Sequence, residues 1–197
     1  MARLHLMSGL APLALRFTVM TAARSGEVRG MTWREIDLEL CTWTVPPERI
    51  KAGREHRVPL SAAAVAILQD RLRVATDERE GRRPDRSDIV WPGAAGTLSD
   101  MTLAAVIKRM NKSDTAGDAD APFWSDVLGV PAVPHGFRSS FRDWAADNSY
   151  STDIAEAALA HVVGDATTRA YQRGDLLERR RAMMEAWAVF IVGDREK

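Results

Sequence analysis

Tyr171 is one of two tyrosines in the chain, and it lies between Arg169 and Arg173 in the stretch HVVGDATTRAYQRGD, shortly after His161. A phenol has a pKa of roughly 10, so it attacks an electrophile near neutral pH only beside a base or in a cationic field. Tyr171 therefore has two readings: a tyrosine on an ordinary helix face, or a phenol held beside something anionic. What else in the chain could gather positive charge decides between them.

Three other clusters have that capacity. In PHGFRSSFRDWAAD, His135 and Arg138 stand three apart at the start of a helical pattern. That spacing puts both on one face, near the unpaired N–H groups and positive dipole of the first turn, which suits an anion. In TAARSGEVRGMTW, Arg24 stands where an apolar helix stops, and Glu27 is placed to hold its guanidinium. In ERIKAGREHRVPLS, Lys51 falls at a hairpin tip with Arg49, Arg54 and Arg57 around it, a basic ribbon of a shape that meets nucleic-acid grooves. Each has an ordinary reading as well. His135 can cap its helix while Arg138 pairs with Asp143 or Asp147. Arg24 can be a helix C-terminal cation, Lys51 a solvated turn residue, and His161 a satisfied residue at a helix end.

The elements that would position these groups are legible from periodicity. Leu10 to Ala23 reads as a buried helix, and Ser25 as the cap of a second, short one with Glu27 in its first turn. Period two then takes over: Ile36, Leu38 and Leu40 alternate, as do Trp43 and Val45, and Arg57, Val58 and Leu60 close the stretch. This predicts a small antiparallel sheet with a turn at Ala52-Gly53. Ser61 caps a helix from Ala62 to about Glu78, the segment 81–88 is a charged loop, and Ile89 to Pro92 is a short buried strand or extended segment. Ser99 caps a helix from Asp100 to about Asn111. The segment 112–134, rich in Gly, Asp, Pro and Ala, is a surface excursion. Four helices follow: Gly136 to Asp147, Thr152 to Ala160, Ala166 to Gln172 and Leu176 to Val192. On the last, Met184, Trp187 and Ile191 form a stripe for core packing.

Composition bounds the class. At 197 residues, 46% hydrophobic and 27% charged, the chain has the composition of an ordinary soluble globular protein and the length for one domain with a full core, or at most one domain and an appendage; the elements above make it mainly α with a small antiparallel β-sheet (α+β). Its formal net charge of zero means that any basic surface must be local. Cys41 is the only cysteine, which excludes an intrachain disulfide and a cysteine-rich zinc site. Leu10 to Ala23 is too short and too interrupted, by Arg16, to span a bilayer. The opening drops straight into an apolar helical pattern, which suggests a chain that begins inside a larger protein.

Taken in order, Arg24, Lys51 on a hairpin, His135-x-x-Arg138, His161 and Tyr171 make one constellation. It resembles the catalytic domain of the tyrosine recombinases, or phage integrases. The surrounding words agree: ARSGEVRGMTWREIDLE, KAGREHRVPLS, PHGFRSSFRDWA, LAHVVGDATTRAYQRGD and a final RRRAMMEAWA, nearest to integrases of prophages and genomic islands. The resemblance implies that fold, and site-specific DNA cleavage and rejoining through a 3′-phosphotyrosine on Tyr171, integrating or excising a prophage or genomic island. Arg24 and Arg138 would clamp the non-bridging oxygens and stabilise the pentacoordinate transition state. Lys51 would protonate the leaving 5′ oxygen, His135 would assist proton transfer, and His161 would donate a hydrogen bond to the phosphate. Glu27 would orient Arg24. Arg49, Arg54, Arg57, Arg169 and Arg173 are candidates for DNA-backbone contacts. No metal or cofactor is implied, because the cations supply the charge that Mg²⁺ supplies in many nucleases, and the phosphotyrosine conserves the bond for religation.

The resemblance further implies double-stranded DNA attachment sites as partners, a homotetramer on DNA from a monomeric isolated domain, accessory DNA-bending proteins, and a bacterial cytoplasmic, nucleoid-associated setting with no membrane. Residues 1–197 would be one catalytic domain, the C-terminal part of a longer integrase whose N-terminal DNA-binding domains are absent. Alone it would bind DNA weakly and in a salt-sensitive way. The alternatives are strand relaxation of the type IB topoisomerase kind, an inactive remnant that only binds DNA, and, well below these, a metal-dependent nuclease, for which a carboxylate cluster is missing.

Overall fold

A computed structural model describes residues 1–50, 52–115, 131–161 and 176–193. The architecture is mostly helical with a small antiparallel sheet, as the periodicity predicts, and a second, two-stranded one. Eight helices occur among the described residues: α1 (Ala2–Leu6), α2 (Leu10–Thr21), α3 (Ser25–Arg29), α4 (Ala62–Asp77), α5 (Thr102–Thr115), α6 (Gly136–Asp147), α7 (Thr152–Ala158) and α8 (Leu177–Val192). The helix expected at Ala166 to Gln172 and most of the segment 112–134 lie outside the described residues, as do Lys51, Arg169, Tyr171 and Arg173. None of the described helices is long and apolar enough to cross a membrane.

The central element is α2. Its residues Ala14, Leu15, Phe17, Val19 and Met20 are buried, and it packs against α1, α3, α4, α5 and α8. A helix buried on most sides leaves no outlet for polar groups, so Thr18 and Thr21 turn their hydroxyls onto the carbonyls of Ala14 and Phe17, both at 2.8 Å. Phe17 packs between Trp43 and Trp91, with ring centroids 5.8 Å from each. A second aromatic group joins Phe141, Trp144 and Trp187 across α6 and α8. The Trp187 indole then donates to the Val19 carbonyl at 2.8 Å, which fixes α8 on α2. Met183, Met184 and Trp187 are buried, in keeping with a core-packing face on α8.

One sheet has the order β1 (Ile36–Asp37), β2 (Thr42–Val45), β3 (His56–Pro59), with Trp43 opposite Ile36 on one side and Val58 on the other. The alternation through Leu38 and Leu40 does not continue the strand. Asp37 accepts the Leu40 N–H at 2.8 Å, the chain turns, Leu40 is left exposed and Cys41 takes a positive φ of 47°. A side chain that offers the backbone a local partner has overridden a two-residue period. The β2–β3 connection contains a short 3₁₀ turn at Pro47–Arg49 and then the expected reversal, where the Gly53 N–H bonds Ile50 and φ is +63°. The second sheet, β4 (Pro92–Gly93) with β5 (Gly96–Thr97), was not foreseen; the buried Val90 and Trp91 lead into it.

Helix ends were mostly legible. Ser61 caps α4 by accepting the Ala64 N–H, and α6 has the predicted bounds. At α3 the cap shifts by one residue. Arg24 is the N-cap and Ser25 the first helical residue, because the Glu27 carboxylate reaches back to the Arg24 N–H at 3.0 Å.

Candidate active site

Four elements meet around two guanidiniums: the end of α2, the start of α3, the first turn of α6 and the end of α7. Arg24 follows the left-handed residue Ala22 that terminates α2. Its guanidinium bonds Glu27 at 2.8 Å, and Glu27 is itself buried while Arg24 is partly exposed. The acid thus holds both the backbone and the side chain of Arg24, the placement expected for Glu27.

Arg138, one turn into α6, is 4% exposed. It pairs with neither Asp143 nor Asp147. One terminal nitrogen donates to the Ala22 carbonyl at 2.6 Å, and the other to the Leu159 carbonyl at 2.7 Å and to His161 Nε2 at 3.2 Å. Burial, then the charge of Arg24, pushes its pKa down to about 10, against the opposite pull of Glu27 and Glu156. Arg138 stays cationic at neutral pH, and the two guanidiniums lie close enough to repel.

His161 is exposed, beyond α7, with Nδ1 2.6 Å from Glu156. Arg138 can only donate and a carboxylate only accepts, so these partners put the proton on Nδ1 and leave Nε2 to accept. Glu156 also takes Arg142 Nε at 2.6 Å. Burial would raise this carboxyl, but the bonds from His161 and Arg142 outweigh it and hold it below the ordinary range.

His135 occupies the N-cap of α6, exposed and without a side-chain cap bond. Its carbonyl accepts the Arg138 N–H at 3.1 Å. Arg24, Glu27, Arg138 and His161 therefore form one cluster, with His135 a turn away from Arg138; Lys51 and Tyr171 fall outside the described residues. Of the arginines proposed to touch DNA, Arg54 and Arg57 are exposed, Arg57 on β3 opposite Thr44. Arg49 instead points inward, onto Glu35 and the carbonyls of Glu27 and Gly30.

Two residues of this region escaped the sequence reading. Glu156 lies in the last turn of α7, five residues before His161, and nothing in its local sequence marks it as a partner of that histidine. His56, at the start of β3, is half-buried and gives its ring N–H to the Ala158 carbonyl. Burial, then the charges of Arg180, Arg138 and Arg24, push it down to about 4 despite that bond. Burial first, and then three arginines, hold this histidine neutral, so positive charge gathers locally in a chain of zero net charge. Nothing local in GREHRVPLS announces this, since two of those arginines come from other elements and the third from α8.

Residues 7–176 match the model of the phage integrase family. Prophage integrase IntA of Escherichia coli strain K12 is 35% identical over 170 residues, 86% of this chain and 36% of IntA. The integrase of mycobacterium phage Brujita superposes with a TM-score of 0.60 at 17% identity, over 93% of this chain and 54% of that one. The Tn1549 transposon integrase, solved in complex with a circular intermediate DNA, gives 0.54 at 14% identity, over 83% and 58%. The two structural likenesses establish the shared fold; the chain spans well under half of the IntA length.

Proposed function

The chain belongs to the phage integrase family, and from that premise we propose that it cuts and rejoins duplex DNA at specific sites, with Tyr171 forming a 3′-phosphotyrosine. The observation that carries this reading is the convergence of Arg24, Arg138 and His161 from three separate segments.

In this reaction Arg24 and Arg138 bind the non-bridging oxygens of the scissile phosphate, and their field favours the phenolate of Tyr171. The Tyr171 oxygen bonds phosphorus, the bond to the 5′ oxygen breaks, and Lys51 protonates that oxygen. His135 takes the phenolic proton. His161 accepts from Arg138 before DNA arrives; when the phosphate engages the guanidinium, Nε2 is released, takes a proton from solvent and donates it in a hydrogen bond to the phosphate. Glu156 keeps the ring aimed. Religation runs the same steps backwards with a new 5′ hydroxyl, so the sequence is transesterification without hydrolysis.

The substrates are attachment sites in double-stranded DNA, and recombination takes place in a tetramer of a longer integrase, helped by DNA-bending proteins, in the bacterial cytoplasm at the nucleoid. Residues 1–197 act as its catalytic domain. Arg54, Arg57, Arg169 and Arg173 contact the DNA backbone. The test is a nicked suicide duplex incubated without metal and run on a denaturing gel. A covalent protein–DNA band is expected, lost in Tyr171→Phe and kept in Tyr150→Phe. Equal loss in both variants, or cleavage only with Mg²⁺, overturns the assignment.

A further inference from the structure

Arg49 stands just ahead of Lys51 in a locally basic stretch, where a DNA contact is the first expectation. Its guanidinium is committed elsewhere. One terminal nitrogen donates to the Gly30 carbonyl and lies 3.1 Å from the Glu35 carboxylate, and the other donates to the Glu27 carbonyl at 2.5 Å. Those carbonyls belong to the last turn of α3, which has no further helix to satisfy them. Glu35 is 7% exposed and is fixed in turn by the Trp43 indole at 3.0 Å and the Thr32 hydroxyl at 2.9 Å. The seat is close-fitting: a Cβ on Gly30 would come within 3.2 Å of the same guanidinium nitrogen.

Glu27 is thus gripped at both ends. Arg49 holds its carbonyl, while its carboxylate holds the backbone and side chain of Arg24. We infer that Arg49 is a positioning residue for Arg24, which locks α3 to the base of the β2–β3 connection and thereby fixes the guanidinium that meets the phosphate. This rests on the recombination reading, since it needs Arg24 to act on a scissile phosphate. Lysine at 49 can neutralise Glu35 but lacks the planar fork that reaches two carbonyls and a carboxylate together. Alanine at 30 keeps Arg49 and displaces it.

The experiment is single-turnover cleavage of the nicked suicide duplex by Arg49→Lys, Gly30→Ala, Arg24→Lys and the Arg49→Lys/Arg24→Lys pair, with DNA affinity measured at several salt concentrations. Arg49→Lys is expected to melt within about 4 °C of wild type and to cleave on the order of 10- to 100-fold more slowly at saturating DNA, as supporting-residue losses do. Gly30→Ala moves the same way by a smaller factor and stands in if Arg49→Lys fails to fold. DNA affinity and its salt slope stay unchanged. In the Arg24→Lys background Arg49→Lys adds no further loss, because it acts through the residue already removed. Wild-type cleavage with unchanged rates in Arg49→Lys and Gly30→Ala overturns this inference alone. So does a reduced salt slope, which would make Arg49 a DNA contact, or full additivity with Arg24→Lys, which would make its role only structural. A wild-type chain that forms no adduct at all removes the reaction and this inference together.

Discussion

The two guanidiniums of the site are held in opposite ways. Arg24 is partly exposed and tied to a carboxylate; Arg138 is buried, and its hydrogen-bond partners among the described residues are two main-chain carbonyls and a histidine. A carboxylate compensates charge, whereas carbonyl dipoles orient a cation and leave its charge intact. Arg24 is therefore an adjustable group whose strength Glu27 moderates. Arg138 has no carboxylate bonded to it among the described residues, and the protein bears its desolvation, as its lowered pKa records.

The largest consequence is for Arg138→Lys. An ammonium cannot span Ala22 and Leu159, so a buried carbonyl loses its partner. Stability should fall by about 1–3 kcal/mol, and cleavage by about 10²- to 10³-fold or more. Chemical denaturation and single-turnover gels measure the two. Arg24→Lys should match it in cleavage but lose less than about 1 kcal/mol, since an ammonium at 24 can still pair with Glu27 and no buried carbonyl loses its partner. Comparable destabilisation by both would erase the contrast. Next comes Glu156→Gln, which leaves His161 without its anionic partner. A loss of about tenfold in cleavage with no change in DNA affinity is expected, and a proportionate fall in affinity would give Glu156 a different role.

The smallest effect concerns pH. His56 has a folded pKa of about 4 against an ordinary 6.5, so as pH falls the unfolded chain takes up this proton first. Its contribution to stability is whole above about pH 6.5 and declines between there and about pH 4. Glu156, depressed as well, loses its contribution at lower pH still, as the pH falls through its folded value. In His56→Gln, where an amide can still donate to Ala158, denaturation midpoints between pH 7 and 4 should drop less steeply than in wild type. Equal slopes would show that burial and the arginines together depress His56 less than its surroundings indicate.

The sequence carried the residue types and the helices that hold them. His135 and Arg138 share the start of α6 because a spacing of three is enforced by helix geometry, and Glu27 lies beside Arg24 for the same local reason. What escaped reading depends on distant backbone. No pattern near Arg138 announces that the carbonyls of Ala22 and Leu159 will converge on it, and Arg49 looks like a surface cation until α3 is folded against it. Leu38 and Leu40 misled in the opposite direction, since their period was overridden by the single carboxylate of Asp37. Local chemistry is visible in the chain; the groups it meets across the fold are not.

The end of α2 has one more implication. Ala22 adopts a left-handed conformation, and its carbonyl is one of the two that bind Arg138. A carbonyl oxygen is common to every amino acid, so this part of the binding site cannot be deleted by any substitution at position 22. It can be lost only by changing the path of the chain. The side chains at 22 and 159, both buried in the core, therefore bear on this arginine only through the path they give the chain, and a change there is felt at Arg138 to the extent that it moves the turn.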